Sequence, residues 1–277
     1  MIIGIDHLAL SCSNVAAASQ ELARSGFSTQ FIEKDLPNHS AKKAFLMHYA
    51  LKHDIAYCRR EDGIALELTN HHGGFDGAAA TTAYHAYFEA APPDLVPLDG
   101  LKPNLAAVWN YLKNGRSVRP AQWSPFTTSF WYNSAHSSLH PLGVSSVALP
   151  VAQLSKSSVF WQSGLGFRQK STRCLETGER WENLVFLSPF KRWALDFVLI
   201  ETNAGQTRAM LDAPGFRCLA LITTDLRADL KKMMKAGGTE ATEPFNLLLN
   251  GKMLQVALLR GPSDEIVELI ELKTSKT

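Results

Sequence analysis

With 277 residues, 45% of them hydrophobic and 19% charged, the chain has apolar material for two globular domains or one array of repeats. Its composition is neither disordered nor collagenous. A formal net charge of +2, without a concentrated Lys/Arg stripe, argues against nucleic acid, whose binding needs clustered cations to displace phosphate counterions. No apolar run reaches the about 18 residues of a membrane span, so no membrane partner is expected.

The opening MIIGIDHLAL enters a patterned strand directly, not through a charged lead and a small-residue cleavage site. Cys12, Cys58, Cys174 and Cys218 form neither a CxxC pair nor a dense framework. Both features point to a cytoplasmic protein with reduced thiols. The first alternating strand covers residues 3–11. Asn14 then caps the helix VAAASQELARSG, which stops at Gly26, as Asn caps and Gly terminators do. Further strands are predicted near 43–51, at 54–60 and at 64–69, the last two joined by the turn Glu61-Asp62-Gly63.

A second module opens on a strand at 82–90. Its helix NLAAVWNYLKNG, at 104–115, repeats the Asn start and Gly stop of the first. Residues 116–142 are aromatic-rich and poorly patterned, with TTSFWYN as the clear strand. The third module has a strand at 144–150, the helix SKSSVFWQSG ending at Gly164 and Gly166, and a hairpin ending in 193–200. The fourth has a strand at 216–223, the helix LRADLKKMMKAGG, a strand near 252–259, and another at 265–272 after the turn Gly261-Pro262-Ser263-Asp264.

These modules repeat one phrase. IDHLAL (5–10) recurs as SSVALP (145–150) and RCLALI (217–222), and IALELT (64–69) recurs as WALDFV (193–198) and IVELIE (266–271). Alternate side chains of a strand face opposite ways. Leu8, Leu10, Ile64, Leu66 and Leu68 should therefore pack under a helix, while His7, Ala9, Ala65, Glu67 and Thr69 face away. The same register puts Ser146, Ala148, Ala194 and Asp196, and in the fourth module Cys218, Ala220 and Glu268, on the helix-free face. A carboxylate thus recurs in three fourth strands (Glu67, Asp196, Glu268) beside small alanines, which leave room for a concave surface. All nine histidines lie at or before His140.

The repeated βαβββ unit, with a first strand of the form IDHLAL and a fourth of the form ALELT or IVELIE, resembles the vicinal oxygen chelate superfamily. That group comprises glyoxalases, bleomycin-resistance proteins and extradiol dioxygenases. The resemblance implies an α+β fold of tandem βαβββ modules (a glyoxalase-like fold) paired into two half-barrel cups. One module pair is expected in residues 1–142, with a degenerate second module, and the other in 143–277. It also implies one divalent metal (Zn, Ni, Fe(II), Mn or Co) per active cup, held by first- and fourth-strand side chains of two modules. Carried over slot by slot, His7 and Glu67 match the ligand positions of module one, with Glu67 also the catalytic candidate, and His85 falls at the His7 slot of module two. The 50-residue spacing from Ser146 to Asp196 and from Cys218 to Glu268, counted from His85, ends near His136, the candidate fourth ligand. In dioxygenases of this group the C-terminal pair holds iron on two histidines and a glutamate. Here those slots read Ser146, Cys218 and Glu268, so the chemistry is expected in the N-terminal cup.

Two histidines or more with a carboxylate leave open positions for two oxygens of a substrate, whose enolate or dioxygen adduct a metal would stabilise. The reading is therefore an isomerase, lyase or dioxygenase acting on a small oxygenated molecule, with a homodimer among the expected assemblies. The alternative is a metal-free small-molecule binding protein of the antibiotic-resistance type, which Tyr87, Ser146 and Cys218 favour because those slots lack ligand chemistry. No P-loop, Rossmann glycine fingerprint or GxSxG elbow is present.

Overall fold

The computed structural model describes residues 1–61, 63–73, 83–88, 95–97, 103–113, 118–123, 128–133, 143–176, 178–187, 194–202 and 208–272. Module one comprises β1 (Ile2–Ser11), α1 (Val15–Arg24), β2 (Ser28–Pro37), β3 (Lys52–Arg59) and β4 (Ala65–Asn70). The Asn14 side chain accepts from Ala17 N–H, and Gly26 takes a positive φ of 82°, the left-handed terminator that glycine adopts without strain. The strand expected near 43–51 does not form: residues Ser40–Phe45 make a 3₁₀ turn capped by His39, and the second strand is the polar β2 before it. β2 lies on the sheet edge and faces solvent, so it lacks apolar patterning. The apolar Phe45 and Leu46 are buried against Ala9, Cys218 and Leu258, filling one end of the cup face.

Module two is β5 (His85–Phe88), β6 (Leu95–Pro97), α2 (Pro103–Leu112), β7 (Val118–Trp123) and β8 (Thr128–Asn133). Its helix therefore follows the second strand instead of the first. Module three has β9 (Val144–Val151), α3 (Leu154–Val159) running into a π turn at Phe160–Gly164, β10 (Arg168–Cys174), β11 (Arg180–Leu187) and β12 (Ala194–Glu201). Module four has β13 (Gly215–Thr223), α4 (Leu226–Lys235), β14 (Glu240–Ala241), β15 (Phe245–Leu249), β16 (Lys252–Arg260) and β17 (Ile266–Leu272).

Two sheets result. One runs β14-β16-β17-β13-β1-β4-β3-β2 with β15 on β16; the other runs β10-β11-β12-β9-β5-β8-β7-β6. Module one thus pairs with module four, and module two with module three, across the antiparallel contacts of β1 with β13 and β5 with β9. This corrects the expectation that modules pair within residues 1–142 and within 143–277. The first strands carry similar alternation, so local pattern does not select the partner.

The helix-side faces of both sheets share one core. Leu8, Leu10, Leu66 and Leu68 from the first sheet join Val147, Leu149, Phe197 and Leu199 from the second, together with α1, α3 and α4 residues. At Gly164 a side chain would meet Ala236 Cβ at 3.4 Å, an ordinary contact distance, so the π turn packs closely on α4 without requiring glycine there. The predicted strand parity holds throughout these elements. The opposite faces of the two sheets form the two cups, and among the described residues no helix is long and apolar enough to cross a membrane.

Candidate functional site

The four central strands of the first sheet bring their cup-facing residues to one place. β1 and β4 run parallel with Ala9 opposite Glu67, and β13 and β17 run parallel with Ala220 opposite Glu268. Between them His7 opposes Ala220 and Ala9 opposes Cys218. Each module contributes one first-strand slot and one fourth-strand slot, so His7, Glu67, Cys218 and Glu268 occupy corresponding places in the two paired modules.

His7 is 2% exposed. Its Nδ1 lies 2.9 Å from Asp6 Oδ2, which fixes the ring, and its Nε2 lies 3.6 Å from Glu67 Oε2 and 3.5 Å from Glu268 Oε2. Burial opposes an imidazolium here, but Glu67, Asp6 and Glu268 outweigh it and raise the His7 pKa well above its ordinary value. Burial, aided by the charge of Glu268, raises the Glu67 pKa against the pull of His7 and Lys42. Thr69 Oγ1 donates to Glu67 Oε1 at 3.3 Å. The Tyr57 ring stands edge-on to His7 at 5.9 Å.

Glu67 and Glu268 line two spaces. On one side opens a cup of 240 Å³ whose walls include Phe31, Tyr57, Leu249 and Val256. On the other is a 30 Å³ chamber bounded by Lys42, His71, Arg217 and Cys218. Leu211 also lines this chamber, and the next residue, Asp212, accepts from Met47 N–H at 2.8 Å and His48 N–H at 2.7 Å.

Among the described residues no group of three or more His, Cys, Asp or Glu side chains is arranged to hold a metal ion as it stands. His7 Nε2 instead meets both glutamates as an ion pair. The two separations from Nε2 nonetheless match the about 3.4 Å between donors that each sit about 2.1 Å from a tetrahedral ion. Donor chemistry and two of the spacings therefore fit a divalent cation.

No family model matches the sequence, and no curated protein matches it. Solved structures do match. Glyoxalase I from Zea mays is similar over 96% of this chain and 92% of its own, with a TM-score of 0.62 and 15% identity. An inferred dioxygenase from Bacillus subtilis subsp. subtilis str. 168 is similar over 99% of this chain and 86% of its own, at a TM-score of 0.60 and 10% identity. The chain has the glyoxalase-type fold.

In this glyoxalase-type fold the residues expected to act together divide between the sheets. His7 and Glu67 converge, but their third partner is Glu268, not His85. His85 is a buried residue of β5, opposite Ala148 of β9 in the second sheet; His136 lies outside the described residues. The departure follows from module pairing: the cup of module one is completed by module four. In the second cup the first-strand slots hold His85 and Ser146, but the fourth-strand slots are apolar. Since β5 and β8 run parallel with Tyr87 opposite Trp131, the slot matching Glu67 is Trp131, and in module three Val198 lies opposite Ala148. α2 fills this face, with Leu105, Val108 and Trp109 buried against Tyr87, Trp131, Ala148 and Val198. Asp6, Lys42 and the β15–β16 wall were not singled out from sequence; for Asp6 the available signal was its position next to His7.

Proposed function

We propose that the cup between modules one and four is the active site of a metal-dependent enzyme acting on a small oxygenated molecule by isomerase, lyase or dioxygenase chemistry. The observation that carries this is the convergence of His7 Nε2 on Glu67 and Glu268, at 3.6 and 3.5 Å, at the floor of a cavity whose walls are mostly apolar. His7, Glu67 and Glu268 would hold the metal, with Cys218 at the remaining slot. When bound, the ion supplies Lewis acidity toward a substrate oxygen.

The chain's own residues supply the rest. Asp6 holds the His7 ring so that Nε2 points at the glutamates, as carboxylates behind ligand imidazoles do. Glu67 borders the cup, where its carboxylate would take a proton from substrate carbon or oxygen. The apolar walls keep water from that proton.

The test is metal analysis of untagged protein, followed by thermal stabilisation on adding Zn²⁺, Ni²⁺ or Mn²⁺ to chelated protein. Stoichiometric metal lost in His7→Ala and Glu268→Gln but kept in His85→Ala is expected. Absence of metal binding in the native chain would overturn the reading.

A metal-free binding protein is the second reading. Lys42 lines the chamber behind Glu67 and stabilises its charge, so the site carries a cation of its own. Ligand binding unaffected by chelator, with no turnover, would favour it.

A further inference from the structure

The outer cup is walled by elements from opposite edges of one sheet. Phe31 on β2 and Tyr57 on β3 stack with centroids 5.7 Å apart and planes 5° from parallel. Leu247 and Leu249 on β15 and Val256 on β16 line the same cavity. The edges therefore curl toward each other, and Asn250 N–H at the tip of the β15–β16 hairpin donates to Glu33 Oε1 of β2 at 2.7 Å. The enclosed 240 Å³ is below the about 300–1,000 Å³ of sites for drug-sized ligands.

Charge restricts the occupant further. Asp6, Glu67 and Glu268 line the floor with His7, and among the described residues of the cavity wall Lys252 is the one lysine or arginine. A carboxylate reaching the floor would meet three others across a short distance, which like-charge repulsion penalises. An aromatic wall opposite an aliphatic one instead suits a planar apolar ring, held by stacking and by removal of its faces from water.

From this geometry we infer that the cup binds neutral molecules built on one apolar ring, seated between the Phe31–Tyr57 wall and the β15–β16 hairpin, with their oxygens toward the glutamates. This rests on the active-site reading above for the role of those oxygens, but not for the ring.

Calorimetric titration of the full chain separates the two. Four probes are used, in EDTA and with one equivalent of Zn²⁺: 2-phenylethanol, 1-phenyl-1,2-ethanediol, propane-1,2-diol and mandelate. In EDTA both neutral aryl alcohols should bind at least tenfold more tightly than propane-1,2-diol or mandelate. Phe31→Ala and Leu247→Ser, two partly exposed positions on separate elements, should each reduce that preference about tenfold. Aryl binding without any Zn²⁺ effect would sustain the ring site while removing the metal reading. Zn²⁺ binding with no preference for the aryl alcohols, or a preference untouched in both folded variants, would overturn the inference and leave the metal reading standing.

Discussion

Two buried ionisable residues away from the cup give the protein opposing responses to pH. His53 is fully buried, and burial, with Lys42 nearby, lowers its pKa to about 3. In the unfolded chain it would accept a proton near pH 6.5. Its contribution to stability is thus intact above pH 6.5 and is lost as the pH falls toward 3, by up to about 1.4 kcal/mol per pH unit. Glu265 behaves in the opposite sense: burial raises its pKa to about 7, where it accepts from Trp161 Nε1 at 3.2 Å and Ser263 N–H at 2.8 Å. It stays protonated in the folded state while the unfolded chain ionises, so its contribution is full below about 4.5 and is lost as pH rises to 7. Urea midpoints at pH 5.0 and 7.5 should therefore move apart in the two variants. His53→Phe should gain relative stability at pH 5.0, and Glu265→Gln should lose it. Identical pH slopes in both variants and the native protein would contradict these assignments.

At the scale of elements, α2 is the departure with the largest consequence. Its sequence reads as the module-two equivalent of α1, and it is a helix, but it follows β6 and lies on the cup face of the second sheet. The Trp109 ring lies 5.4 Å from that of Tyr87 at a tilt of 35°, and Lys113 Nζ sits 4.4 Å from the Tyr87 ring. Truncating this side chain empties a packed interior, so Trp109→Ala should cost about 3–5 kcal/mol of stability. Because the described core residues of α2 pack in the second sheet's cup, ligand and metal binding in the first should be unchanged per folded molecule. A loss of first-cup binding in folded Trp109→Ala would show that the two cups are coupled. The helix itself was legible from its Asn start and apolar spacing. Its location was not, because Leu105, Val108 and Trp109 present an apolar stripe that packs equally well on either face of a sheet. β2 was missed for a related reason: an edge strand is solvated, so Ser28–Pro37 carries no alternation strong enough to distinguish it from a loop.

Across the whole molecule, the chain closes on itself: the first and last modules share a sheet, and the two inner modules share the other. Parity read from sequence was sufficient to turn His7, Glu67 and Glu268 to the helix-free side. It was insufficient to bring Glu268 to His7, since IDHLAL can pair antiparallel with YHAYFEA, the first strand of module two, as well as with RCLALI. A double-mutant cycle distinguishes these pairings without any ligand. His7 and Glu268 are 261 positions apart in sequence, from 268 minus 7, yet 3.5 Å apart at Nε2 and Oε2. Residues in one charge network couple by about 0.5–3 kcal/mol, whereas separated ones add within about 0.3–0.5 kcal/mol. Denaturant unfolding of His7→Gln, Glu268→Gln and the double variant should yield a coupling energy inside the first range, because losing His7 leaves Glu268 facing Glu67 and Asp6 without a counter-charge. The parallel cycle with His85→Gln should be additive, as His85 packs against Ala148 in the other sheet. The opposite result, His7 coupled to His85 and independent of Glu268, would require modules one and two to share a cup, and with it a different closure of the whole chain.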